Sequence, residues 1–123
     1  MKRLIIALFL LLPISSASAQ IAIGGKRLTC SRSHIPQAQK WIEPQSSRSD
    51  KFKHCAVSCY LRLRCSSREV LLVGALKEFY DAMGYGNPEF ADFLADYRGV
   101  RLAQDGRARQ DNDCVRLCSQ QYP

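Results

Sequence analysis

Two short spacings constrain this chain more than anything else in it: Cys55-x-x-x-Cys59 and Cys114-x-x-x-Cys118. Residues four apart share one face of a helix. Each pair therefore sets two thiols one above the other on a helix. Two such faces, run antiparallel, can be clamped by Cys55–Cys118 and Cys59–Cys114, tying the early part of the domain to the end of the chain. Cys30 and Cys65 remain, and pair by elimination. Zinc sites usually take C-x2-C spacings from loops, which neither pair has, so disulfides are the expected reading over metal.

An even set of cysteines suits an oxidising compartment, and the N-terminus agrees. Met1-Lys2-Arg3 is a basic start, Leu4 to Ile14 an apolar stretch, and Ala17-Ser18-Ala19 a cleavage site. Residues 1–19 read as a signal peptide, with the mature chain beginning near Gln20. The apolar stretch is too short to cross a bilayer, which needs about 20 residues, and no later segment is long and apolar enough. The expected location is periplasmic or secreted. Formal charge is +7, falling by two when Lys2 and Arg3 leave. The basic residues are scattered and carry no nucleic-acid motif, so no nucleic-acid partner is expected. The charge itself reads as solubility, or as attraction to anionic envelope polymers and headgroups.

The expected fold is all-α: a small disulfide-stapled bundle of about four helices, 50–123, behind an irregular N-terminal arm, 20–49. The arm holds Gly24-Gly25, Pro36, Pro44 and a Ser-rich run. Helix one runs from about Asp50 to Cys65 with Ser49 or Asp50 as cap. It is apolar on two sides, hence central, which keeps His54 from full exposure. Helix two, from Arg68 to about Met83, follows a Ser66-x-x-Glu69 capping-box spacing, with Ser67 as the other candidate cap. Its expected core stripe is Leu72, Leu76, Phe79 and Met83. Helix three opens at Asn87-Pro88 and runs to about Gly99 or a little beyond, with Phe90, Phe93, Leu94 and Tyr97 as its apolar face. A short last helix, about Asp111 to Gln120, carries the second cysteine pair.

Three charged clusters lie on these helices: Asp50-Lys51-x-x-His54, Lys77-Glu78-x-x-Asp81 and Asp92-x-x-x-Asp96. Gly74 and Gly99 share faces with the second and third. A glycine inside a helix costs about 1 kcal/mol against alanine, which close helix approach would explain. The polar faces then pack together. His54, Glu78 and Asp81 are the candidate catalytic residues, supported by Asp50, Lys51, Lys77, Asp92 and Asp96. A histidine beside carboxylates can act as a general base, and His54, Glu78 and Asp81 could also hold a divalent metal. No cofactor is otherwise indicated. Ser58, one turn after His54, is the only nearby nucleophile, so water attack is the simpler chemistry. The plain alternative is a salt-bridge network that fixes helix packing.

The ordered series Asp50-Lys51-x-x-His54, Gly74-x-x-Lys77-Glu78-x-x-Asp81 and Asp92-x-x-x-Asp96-x-x-Gly99 resembles that of uncharacterised periplasmic lipoproteins bearing DKxxH, GxxKExxD and DxxxDxxG. It is distantly similar to VanZ-like membrane proteins. The segment His54-Cys55-Ala56-Val57-Ser58-Cys59 resembles cysteine-bearing C-terminal domains of Rhs-type polymorphic toxins. The resemblance spans about Asp50 to Cys118. The chain lacks the lipoproteins' anchoring cysteine and the VanZ-like transmembrane helices, and has Asp96 where the VanZ-like group usually has asparagine. The resemblance implies an envelope setting and a real polar site, and supplies no reaction. Two functions follow as expectations: a binding or structural module with an envelope component or protein as partner, or an envelope-acting hydrolase or toxin-like effector.

Overall fold

The computed structural model describes residues 29–123 apart from Asn87, and leaves the Tyr85 side chain undescribed. The expected signal peptide, residues 20–28 and Asn87 lie outside that set; the helix expected to open at Asn87-Pro88 begins at Phe90 with Glu89 as its N-cap, so Pro88 precedes it. Five α-helices follow in order: α1 (Thr29–Ile42), α2 (Asp50–Arg62), α3 (Ser67–Tyr80), α4 (Phe90–Gln104) and α5 (Asp111–Gln121). A 3-10 turn, Glu43–Gln45, follows α1, and a wide turn, Asp81–Tyr85, continues α3. The described residues contain no strand, and the all-α bundle stapled by disulfides is what the structure shows. No helix among them is long and apolar enough to cross a membrane.

All three disulfides join the expected partners. Cys55 bonds Cys118, Cys59 bonds Cys114, and Cys30 bonds Cys65. The first two rivet α2 to α5. Around them Phe52, Ala56, Ala95, Leu102, Ala108 and Leu117 form one core cluster. A second gathers Ala38, Tyr60, Leu61, Val70 and Val100 beside the third disulfide. Helix α2 feeds both clusters and packs against α1, α3, α4 and α5, so it is the central helix. Its N-cap is Ser49, whose side chain accepts from the Phe52 N–H. At its far end the Arg64 guanidinium takes both carboxylate oxygens of Asp111, at 2.8 and 2.9 Å, while lying over the Tyr60 ring.

The arm is not irregular throughout: Thr29–Ile42 is helical despite Pro36. A proline there removes one backbone donor and disfavours the helix by about 3 kcal/mol. Tertiary ties offset that loss. Cys30 is bonded to Cys65, Trp41 stacks on Tyr60 at 4.8 Å, and the Ser31 N–H donates to the buried Glu69 carboxylate at 2.9 Å. Ser66 is the cap of α3, accepting from the Glu69 N–H. The Glu69 carboxylate thus caps the neighbouring helix α1.

The largest departure concerns which faces are inside. The expected core stripes of the second and third expected helices are mostly turned outward: Leu76, Phe79, Met83, Phe90, Leu94 and Tyr97 are 40–73% exposed, as is Tyr80 beside them, and only Leu72 and Phe93 stay half-buried. Asp92 and Asp96 are buried instead. The glycines explain the inversion. A Cβ on Gly99 would stand 2.1 Å from the Cys55 carbonyl oxygen, and one on Gly74 would stand 2.7 Å from Asp96 Oδ2. Backbone approach at Gly99 brings α4 onto α2 along the Asp92–Asp96–Gly99 stripe. The carboxylates go in because partners wait for them there.

This inversion carries a stability prediction. Truncating a core phenylalanine typically costs about 3–5 kcal/mol. Phe79→Ser and Phe90→Ser, at exposed positions, should shift stability by only about 0.5 kcal/mol each. Urea unfolding of the two variants checks this, and a loss of core size at either would restore the stripe to the interior.

Candidate functional site

His54 leaves α2 toward α4, and its side chain is only 17% exposed. Its Nδ1 lies 3.0 Å from Asp96 Oδ1, the same oxygen that accepts from the Ser58 hydroxyl at 2.8 Å. Its Nε2 stands 3.5 Å from Asp92 Oδ2. The i,i+4 spacing of Asp92 and Asp96 on α4 presents one carboxylate to each ring nitrogen. Lys51, one turn before His54, pairs with Glu89 and stands 3.4 Å from Asp92 Oδ1. Glu78 comes from α3, its Oε2 accepting the Glu89 N–H at 2.9 Å.

The structure therefore gathers His54, Glu78, Asp92 and Asp96, with Lys51 and Lys77 at the margin. Asp81 sits apart, hydrogen-bonded by Lys77 at 2.8 Å and pressed against Gly86. Asp50 stands outside the cluster on the surface, paired with Lys53. Asp92, expected only in support, is central, and it replaces Asp81 in the one metal-competent grouping here: donor atoms of His54, Glu78 and Asp92 lie within 4.8 Å of one another. Glu89 went unnoticed in the sequence. Its position before α4 gives no helical spacing that links it to Lys51.

Three carboxylate oxygens in this cluster are buried without a hydrogen bond: Glu78 Oε1, Asp92 Oδ1 and Asp96 Oδ2. Lys51 stands 3.4 Å from Asp92 Oδ1 as an ion pair without hydrogen-bond geometry.

A cleft of about 260 Å³ opens beside the cluster. Ile35, Val57, Leu61, Val70 and Val73 make its apolar wall, and His54, Ser58, Gly74 and Asp96 its polar end. A mostly apolar cleft with a few convergent polar groups is the usual form of a small-molecule site. Ser58 donates to Asp96 and not to His54, so it is not set up as a nucleophile with His54 as base. With Asp96 holding Nδ1–H, Nε2 is the nitrogen left to accept a proton or bind an electrophile.

Burial disfavours the His54 imidazolium, but the Asp96 hydrogen bond and charge, with the Asp92 charge, outweigh it and raise the pKa. A raised histidine pKa adds stability that is complete below the unfolded value of about 6.5 and is lost as pH rises through the folded value. The urea midpoint should therefore fall as pH rises above about 6.5. His54→Gln should flatten that fall, and an equal slope in the variant would remove His54 as its source. Lys77 is held above its ordinary range by the Asp81 hydrogen bond.

Compared with known proteins, the chain matches no family model, no curated protein and no solved structure.

Proposed function

We propose that this protein is an exported binding module of the bacterial envelope, working in the periplasm or outside the cell, and that it grips a protein partner through the edge made by α3 and α4. One observation carries the reading: seven large apolar side chains between Leu76 and Tyr97 are exposed while the acidic face of α4 is buried. On each helix these side chains share one face, and exposed apolar faces of this kind mark interaction sites on soluble proteins. Phe90 and Phe93 stack at 6.2 Å, and with Ala75, Glu78 and Pro88 they line a groove of about 320 Å³ between the two helices. Such a groove takes an apolar anchor residue.

A protein partner fits better than an anionic lipid surface. Lys51 and Lys77, which border the cluster under this edge, are already neutralised by Glu89, Asp92 and Asp81. The three disulfides suit folding outside the cytoplasm. The envelope setting rests further on the signal-like N-terminus and on the motif resemblance.

A photo-crosslinking residue at Leu94, introduced in producing cells, tests the reading. It should give one defined protein adduct, lost when Phe79→Ser and Phe90→Ser are combined. An adduct that survives the double variant, or crosslinks to lipid alone, would count against it. The cleft beside His54 favours a second reading, a hydrolase or toxin-like effector with His54 as base. Turnover abolished by His54→Gln in a folded protein would establish it.

A further inference from the structure

We propose that His54, Glu78 and Asp92 form a binding site for a divalent transition-metal ion, with Zn2+ the best match, and that Asp96 is its positioning residue. Glu78 also lines the groove of the exposed apolar edge, but the site does not depend on the role of that edge.

The donor set comes first. One imidazole and two carboxylates suit Zn2+ and its neighbours, whereas Ca2+ and Mg2+ prefer oxygen alone. Three protein ligands leave a position for water, as in open zinc sites. The geometry comes next. Zinc–ligand bonds of about 2.0–2.1 Å place tetrahedral donors about 3.3 Å apart. His54 Nε2 and Asp92 Oδ2 are already 3.5 Å apart. The three donors fall within 4.8 Å of one another, so Glu78 has at most about 1.5 Å to close. Glu78 is on the last full turn of α3, just before the wide turn Asp81–Tyr85, where the chain can give.

Orientation of the histidine is the third point. A metal-bound imidazole usually donates its other N–H to a carboxylate, which fixes the tautomer. Asp96 Oδ1 does this at Nδ1, and Ser58 holds that oxygen from the other side.

Glu78 Oε1 and Asp92 Oδ1 are buried with no hydrogen bond, and Asp92 as a residue is only 7% exposed. Buried carboxylate oxygens without donors are costly. A cation would meet Glu78 Oε1 directly, and Asp92 Oδ1 where that carboxylate binds through both oxygens. Lys51 and Lys77 oppose it, at 3.4 Å from Asp92 Oδ1 and 3.8 Å from Glu78 Oε1. Their side chains are 34% and 52% exposed, so either can swing into solvent when the ion enters. Cys30, His34 and Cys65 also cluster, but both sulfurs are committed to a disulfide.

The test titrates the oxidised mature protein with Zn2+ against a chelating dye, and with Co2+ followed by its visible absorption. One ion should bind per chain. Glu78→Gln and Asp92→Asn should each weaken it at least about 10-fold, and Asp96→Asn about 10–100-fold. His34→Ala and Asp50→Asn should bind as the parent does. Circular dichroism establishes that each variant is folded. Should His54→Ala not fold, Glu78→Gln decides, since its Oε1 has no hydrogen bond to lose. Absence of binding at about 100 μM Zn2+, or unchanged affinity in Glu78→Gln and Asp92→Asn, overturns the proposal.

Discussion

Deleting both α2–α5 disulfides should destabilise the protein by about 7 kcal/mol, more than the sum of the two single deletions. Cys55–Cys118 and Cys59–Cys114 close nested loops, with separations of 63 and 55 residues. Chain entropy values one loop of either length at about 4 kcal/mol. Once one bridge is made, the other closes only a ring of about ten residues, running from 55 to 59 and from 114 to 118, and adds about 3 kcal/mol. Removing either bridge alone should therefore cost about 3 kcal/mol, and removing the second should cost more than removing the first. Small domains are stable by only about 5–15 kcal/mol. The quadruple alanine variant should be mostly unfolded near room temperature, while each paired variant stays folded. Urea unfolding of Cys55→Ala/Cys118→Ala, of Cys59→Ala/Cys114→Ala and of their combination measures the difference. Strict additivity, with each pair costing about half the total, would show that the bridges constrain the unfolded chain independently.

The clasp was legible because it depends on one short-range fact. Residues four apart on a helix share a face, and an antiparallel partner with the same spacing can satisfy both thiols, as Cys114 and Cys118 do. The helix starts were legible for the same reason to within one residue: Ser49 rather than Asp50, and Ser66 rather than Ser67, is the cap. Helix α1 was hidden because its stability comes from elsewhere: a bonded Cys30, a stacked Trp41 and the Glu69 carboxylate of another helix. The burial of α3 and α4 was hidden more deeply. Hydrophobic spacing reveals that a helix has an apolar face, but not which face meets the core. Here His54, Ser58 and Lys51 on α2 provide partners for carboxylates, and this decides the rotation of α4. The gathering of the charged motifs could be inferred from Gly74 and Gly99. That Asp81 would pair with Lys77 follows from their i,i+4 spacing, but that Asp92 would join His54 and Glu78 depends on distances between helices that no spacing encodes.

Gly99→Ala should be the most damaging single substitution on α4, costing more than about 3 kcal/mol or forcing α4 off α2. The added Cβ would stand 2.1 Å from the Cys55 carbonyl oxygen, 2.9 Å from its carbon and 3.0 Å from the Cys59 nitrogen. All three atoms are backbone, held by helix hydrogen bonds and by the two flanking disulfides, so nothing nearby can rotate away. Overpacking a close-packed interior normally costs about 1–3 kcal/mol when side chains can shift. This contact has no such relief. Gly74→Ala makes the comparison, because its Cβ would meet only the Asp96 carboxylate, at 2.7 Å. That group can turn, at the expense of its bonds to His54 and Ser58. Gly74→Ala should therefore cost less stability than Gly99→Ala but disturb His54 more directly. The two losses separate in one pair of measurements. Urea unfolding should rank Gly99→Ala well below Gly74→Ala, and the His54 ring protons in NMR should move in Gly74→Ala while the fold persists. If Gly99→Ala unfolds within about 1 kcal/mol of the parent, the close approach of α4 to α2, and with it the burial of the acidic stripe, is wrong.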